Sequence, residues 1–259
     1  MPQIHETAIV HQKAELGAGV KVGPYALIGK NVVLGDGCQI GPHVVIEGRT
    51  TMGKNNRVFA GAVIGSIPQD LKYKGEISYL EIGDNNQFRE YVDINTAEGE
   101  ENYTRIGSDN LMMAYVHIAH NCTVMDRTIL ANNVTLAGHV SIDSNAILGG
   151  LTGVHQFVSI GRFCMIGGLT KIVKDVMPFC TIDGNPAKSY GINKIGLERA
   201  GFSPEKIKKL KEIYKIVFRS KLKLDEAKIE IIRKYGSEND AEINYYLEYF
   251  DKLERGITR

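Results

Sequence analysis

Every sixth residue of this chain is apolar over most of its length. From Ile4 the column runs through Val10, Leu16, Val22, Ile28, Leu34, Ile40, Ile46, Met52 and Val58 to Ile64. It resumes at Ile82, Phe88 and Ile94, and again from Ile106 through Ile118 and Leu136 to Ile172. With 43% of the chain apolar, chance would fill twenty-six such positions with odds on the order of 10⁻⁹ or less. Glycine often follows the column residue (Gly17, Gly23, Gly149, Gly161), and a small or β-branched residue often sits two before it (Ala26, Cys38, Val44, Cys122). A sandwich of alternating strands would show period two without staying locked to six. The pattern predicts a parallel β-helix in which each hexad forms one flat side, its aliphatic residue pointing in and small residues turning the corners. Three sides close a triangular prism of about 18 residues per coil, about nine coils in all. Residues i and i+18 then stand about 4.8 Å apart as vertical neighbours.

Two polar segments interrupt the hexads. One covers 66–81 (SIPQDLKYKGEISYLE) and reads as replacing about one coil; the other covers 95–105 (NTAEGEENYTR) and is acidic. Loops extruded from a rigid scaffold commonly carry binding groups. After Ile172 the hexads stop, and from Asn193 the period becomes helical. Ser203 is placed as an N-cap with Pro204 at the first helical position. Ile207, Leu210, Ile213, Tyr214 and Val217 share one face, and further helices are predicted over 224–235 and 238–253. The expected organisation is a β-helix over 1–186 and a small helical domain over 187–259.

Composition narrows the function. Net charge is +1 over 259 residues, which argues against nucleic acid as a bulk partner. The start, MPQIHETAIV, has neither the basic region nor the apolar run of a signal peptide, and no stretch has the length to span a membrane. The four cysteines form no CxxC pair, and Cys38, Cys122 and Cys164 fall in the small-residue column, so buried thiols and a cytoplasmic location are expected. Between Lys188 and Lys223 eleven Lys/Arg face three Glu. That surface would attract an acidic protein or phosphates, or is an ordinary solvated helix face.

Four of seven histidines lie between Tyr115 and Phe157: His117, His120, His139 and His155. None is in the inward column. The eighteen-residue stacking puts Gly138 above His120 and Gln156 above Gly138, so the cluster lines one edge of successive coils. Imidazole suits general-base work near neutral pH, and a glycine N–H close by suits an oxyanion. A prism side is flat, whereas ligand sites are concave. An extruded loop or a neighbouring subunit must therefore supply the second wall.

The segments IGSIPQDLKYKGE, IGSDNLMMAYVHIAHNC, LAGHVSI, GVHQF, DGNPA and GINKIGLERAGFS closely resemble the UDP-N-acetylglucosamine O-acyltransferases over essentially the whole chain. That resemblance implies a left-handed β-helix and a homotrimer. It also implies transfer of a 3-hydroxyacyl chain from acyl carrier protein to the glucosamine 3-hydroxyl, the first step of lipid A synthesis. It implies no cofactor of the enzyme's own, because phosphopantetheine arrives on the carrier. By the same resemblance His120 in HIAHN is the general base and Gly138 in LAGH the oxyanion donor. Gln69, Asp70 and Lys72 in QDLKY, with His117, His139, His155 and Gln156, become substrate contacts. Asn193 and Arg199 would grip phosphates, a task suited to a guanidinium, and Gly168 stands at the acyl-length ruler.

Three positions depart from the family pattern: Asn121 where Asp commonly follows the base, Asn95 where a further histidine is usual, and Ile195 where an acidic residue is common. A sugar acetyltransferase using acetyl-coenzyme A and a γ-type carbonic anhydrase, with three histidines on zinc, are the alternatives on the same architecture. QDLKY and GFSPE have no place in the carbonic anhydrase.

Overall fold

In the computed structural model, which describes residues 1–259, the hexads wind into a left-handed prism of three parallel sheets. The first face stacks Gln3–Ile4, Lys21–Val22 and Gln39–Ile40, and so on to Met165–Ile166. The second runs from Ile9–Val10 to Lys171–Ile172, and the third from Glu15–Leu16 to Ser159–Ile160. Ile4 pairs with Val22 and Val22 with Ile40, the eighteen-residue spacing the sequence requires. From Val22 to Ile172 the column is buried, while Ile4, stacked on one side only, is 48% exposed. Each buried aliphatic contributes about 1.5–3 kcal/mol, so a charge placed at Ile94 or Ile118 would leave an unpaired ion in the core.

Buried asparagines inside the prism form a ladder. Asn56 Oδ1 accepts from the Asn86 N–H at 2.9 Å, Asn86 Oδ1 from the Asn110 N–H at 2.9 Å, and Asn110 Oδ1 from the Thr128 N–H at 2.7 Å. This ladder satisfies turn amides that the strands leave unused.

The interruptions differ from the sequence expectation in one respect. Met52 pairs with Ile82 and Ile82 with Ile106, so pairing partners stand thirty and twenty-four residues apart instead of eighteen. Each coil is complete, and twelve and six residues are added to it; no coil is replaced. Both additions are multiples of six, which is why the apolar column keeps its phase across them. Both leave between a strand of the second face and one of the third, the first between Val63–Ser66 and Tyr79–Ile82, the second between Asp93–Asn95 and Tyr103–Ile106. They therefore stack on one corner of the prism.

Above Ile172, Cys180–Asp183 extends the first face parallel to Met165–Ile166, and Lys188–Ile192 folds back antiparallel on it. Four helices follow: α1 (Lys194–Arg199), α2 (Pro204–Arg219), α3 (Leu224–Tyr235) and α4 (Ala241–Tyr249). Ser203 Oγ accepts from the Lys206 N–H at the start of α2, whose buried residues are Ile207, Leu210, Ile213, Tyr214 and Val217. The last helix begins three residues later than its apolar period suggests, because the Asp240 carboxylate accepts from the Glu242 and Ile243 amides and fixes the N-cap there. The chain end returns to the prism, where the buried Asp175 carboxylate accepts from the Ser159, Glu254 and Arg255 amides at 2.8, 2.9 and 2.8 Å.

The local charge count over α1 and α2 overstates the free positive surface. Acids from the turn between α3 and α4 fold onto it: Lys206 pairs with Asp240 and Lys209 with Glu238. Lys208, Lys211 and Lys215 remain along a groove between α2 and the Gly191–Ile192 strand end, which Lys194, paired with Glu198 at 3.4 Å, also lines.

Candidate active site

His120 sits on the corner where the two extruded loops stack, in the turn between His117–Ile118 and Thr123–Val124. The next residue, Asn121, has φ +58°, a left-handed conformation that Asn tolerates better than most side chains. Its amide is held from both ends. Asn121 Nδ2 donates to the Glu98 carbonyl at 3.0 Å, and its Oδ1 accepts from the Glu98 N–H at 2.9 Å. The oxygen therefore faces His120, whose Nδ1 lies 2.8 Å away. Only a protonated Nδ1 can donate to it, which leaves Nε2 with its lone pair exposed to the site. A neutral amide thus fixes the tautomer a base needs.

One coil up, an ideal Cβ on Gly138 would lie 2.6 Å from Cε1 and Nε2 of His120. Only glycine admits the ring here. The Gly138 carbonyl accepts from the Phe157 N–H at 3.2 Å, but its own N–H donates to no protein group. A free amide donor and a free imidazole nitrogen consequently share one small space.

The loops build the wall that a flat prism side lacks. From the first, Asp70 Oδ2 lies 3.6 Å from His120 Nε2; from the second, Glu98 Oε2 lies 4.0 Å from Nδ1. Under them His120 is only 9% exposed. His139 meets it edge-on at 5.3 Å and stacks on Phe157 at 4.6 Å. Burial lowers the His139 pKa and repulsion from His120 adds to this, with Glu98 and Asp70 pulling the other way. His139 is accordingly a neutral neighbour near pH 7.

On the second face, His117 Nδ1 bonds Asp93 Oδ2 at 2.7 Å, and Gln69 Nε2 reaches the same oxygen at 3.5 Å. Lys72 is close enough for its charge to act on His139. The exposed His155 and Gln156 lie a coil above Gly138, with His155 Nδ1 3.2 Å from the Gln156 carbonyl oxygen. Asn95 is buried, and its Nδ2 donates to Ser66 Oγ at 2.8 Å.

Within one chain the remaining candidates stand apart from this cluster. Asn193 caps α1, accepting from the Gly196 N–H at 3.1 Å and donating to the Phe163 carbonyl at 3.0 Å. It lies by the corner between the third and first faces, and Arg199 is exposed at the end of α1. Gly168 lies at the corner between the first and second faces, against Gly150.

Sequence reasoning missed Asp93 and Glu98. Asp93 is the strand partner of His117, but the six-residue insertion puts it twenty-four residues back, outside the eighteen-residue rule. Glu98 is one of several acids in its loop, and nothing in the pattern marks it.

Covalent catalysis finds no nucleophile here. Cys122 follows Asn121 but turns into the prism, where Sγ donates to the Ala137 carbonyl at 3.1 Å and burial pushes the thiol up to about 12. The donor atoms of Glu98, His120 and His139 come within 4.8 Å of one another. Nδ1 of His120, however, is already committed to Asn121.

A hexapeptide prism with a buried imidazole set against a free backbone amide defines an acyltransferase of the hexapeptide-repeat class. Comparison with known proteins makes this specific. Residues 13–48 and 103–138 match the bacterial transferase hexapeptide family, and residues 175–258 match the second domain of UDP-N-acetylglucosamine O-acyltransferase. The chain is 49% identical over 262 residues, covering 100% of both, to the acyl-[acyl-carrier-protein]–UDP-N-acetylglucosamine O-acyltransferase of Herminiimonas arsenicoxydans. It is 54% identical to that of Gloeothece citriformis over 70% of this chain and 65% of that one. The crystal structure of UDP-N-acetylglucosamine O-acyltransferase from Moraxella catarrhalis superposes with a TM-score of 0.94 at 43% identity, over 99% of each chain. This chain belongs to the UDP-N-acetylglucosamine O-acyltransferase family. Neither the acetyl-coenzyme A nor the carbonic anhydrase reading is favoured by these likenesses.

Proposed function

We propose that this protein transfers a 3-hydroxyacyl chain from acyl carrier protein to the 3-hydroxyl of UDP-N-acetylglucosamine, the first step of lipid A biosynthesis. The observation that carries the mechanism is the pairing of a lone-pair-bearing Nε2 on His120 with the unoccupied N–H of Gly138. In this reading Nε2 takes the proton of the sugar hydroxyl as its oxygen attacks the thioester carbonyl. The oxyanion that forms accepts the Gly138 N–H. Collapse breaks the carbon–sulfur bond, and the imidazolium returns its proton to the departing pantetheine sulfur.

His117, His139, His155, Gln156, Gln69, Asp70 and Lys72 line the approach as substrate contacts. Asn193, Arg199 and Gly168 stand apart from them, so their contribution to phosphate grip and acyl length calls for a neighbouring subunit. A homotrimer supplies one, and exposed apolar residues along the corner between the first and second faces (Tyr25, Tyr91, Tyr115, Leu151, Leu169) favour packing between copies. The lysine groove beside α2 suits the acidic carrier, and phosphopantetheine arrives on it, so the enzyme needs no cofactor of its own. No helix is long and apolar enough to cross a membrane. The four free, buried cysteines agree with a reducing cytoplasm.

The test is mass spectrometry of product from UDP-N-acetylglucosamine and 3-hydroxyacyl carrier protein. The expected product gains one hydroxyacyl group and keeps its N-acetyl group. His120→Ala should lose at least about a hundredfold in kcat with the fold retained. Turnover with acetyl-coenzyme A but not with carrier protein would overturn the reading.

A further inference from the structure

Asn121 leaves His120 without the adjacent carboxylate that would stabilise its protonated form, yet a carboxylate is present from elsewhere. We infer that Glu98, on the six-residue insertion, is a positioning residue that stabilises His120 when it carries the substrate's proton. The inference rests on the base assignment made above for His120.

Two features of Glu98 act on the imidazole together. Its backbone grips both ends of the Asn121 amide, and so sets which ring nitrogen is free. Its side chain, partly buried under the loop, brings Oε2 to 4.0 Å from Nδ1. At that separation a carboxylate favours an imidazolium without displacing the hydrogen bond to Asn121. The loop is itself held, since Asn102 Nδ2 donates to the Glu98 carbonyl at 2.9 Å and Thr104 Oγ1 accepts from the Asn121 N–H at 2.9 Å.

Other charges face the ring as well. Asp70 stands at 3.6 Å on the Nε2 side, where the sugar hydroxyl must enter, and so cannot serve as a permanent partner during proton transfer. His139, neutral near pH 7, adds no charge of its own, and Lys72 is close enough for its charge to act on His139. Glu98 is the one carboxylate on the side of the ring away from the substrate.

The test compares wild type, Glu98→Gln and Glu98→Asp. Glu98→Gln keeps the backbone grip and the side-chain shape but removes the charge. Expected is a roughly tenfold fall in kcat with little change in either KM, and a shift of the acid limb of kcat/KM to lower pH. Glu98→Asp, which keeps both the charge and the backbone grip, should lose less of both. Nitrogen-15 NMR of the histidines in the full-length protein reads the same midpoint shift without turnover, so the result stands whether or not the assigned substrates are right. A Glu98→Gln protein with unchanged kcat, pH profile and His120 titration would overturn the inference. So would a fall in kcat and a pH shift in Glu98→Asp as large as those in Glu98→Gln.

Discussion

The imidazole of His120 occupies the space that a side chain on Gly138 would need, with 2.6 Å separating a built Cβ from Nε2. Gly138 does not have positive φ, so the requirement is room and not backbone conformation. Gly138→Ala should therefore fold, with its melting temperature little changed, while the displaced ring loses its alignment with the amide. A loss in kcat of about a hundredfold is expected, since misplacement of about an ångström costs that much. A variant with near-normal kcat would refute the close-packed pairing.

Asp93 fixes His117 through a 2.7 Å bond. Asp93→Asn weakens a charge-assisted bond, which costs about 1.5 kcal/mol, roughly tenfold in kcat/KM for the sugar nucleotide. Steady-state kinetics with varied UDP-N-acetylglucosamine checks this, and the acyl-donor KM should not move.

Asp240 gives the helical domain an acid-sensitive joint. Burial alone would raise its carboxyl, but Lys206 and the Ile243 and Glu242 amides outweigh that and hold it below its ordinary 3.8. Its folded-state pKa is depressed, so the stability it contributes is present above the unfolded value and is lost as pH falls through the folded one. Asp240→Asn keeps an N-cap but loses the ion pair with Lys206, so it should be less stable than wild type at pH 7 by up to about 1 kcal/mol, and the two should converge as pH falls below the folded-state value. Urea titrations followed by circular dichroism at a series of pH values read both.

Asp175, buried in the top coil, accepts three backbone N–H groups, two of them from the returning chain end. Asp175→Ala leaves those donors unpaired in a dry site, a loss of about 3 kcal/mol or more. Limited proteolysis should then cut first after 252, before the prism itself opens.

Lys208 and Lys211 line the groove beside α2 and, unlike Lys206 and Lys209, form no intrachain ion pair in the structure. Reversing both to Glu should lower kcat/KM for the carrier-borne substrate about tenfold at low salt. The deficit should shrink as ionic strength rises. An unchanged rate at low salt would remove this groove from the docking surface.

Much of this architecture was legible in the residues because repetition enforces itself. A column such as Ile82, Phe88, Ile94 has one way to be buried, and stacking at eighteen then brings Gly138 to His120. What escaped lies where repetition stops. Asp93 reaches His117 across an insertion that breaks the spacing rule, and Glu98 reaches His120 through loop contacts that no period encodes. The basic balance read along α1 and α2 was too large for a related reason: Glu238 and Asp240 are distant in the chain but close in space. Asn193 is held by its own helix and by Phe163, and a single chain does not carry it to the base.

The intact pairing of Met52 with Ile82, on either side of the longer insertion, separates scaffold from chemistry. Trimming that segment would blunt the enzyme without felling the column, and a foreign segment spliced at the same junction would inherit a ready-made imidazole and amide to work beside.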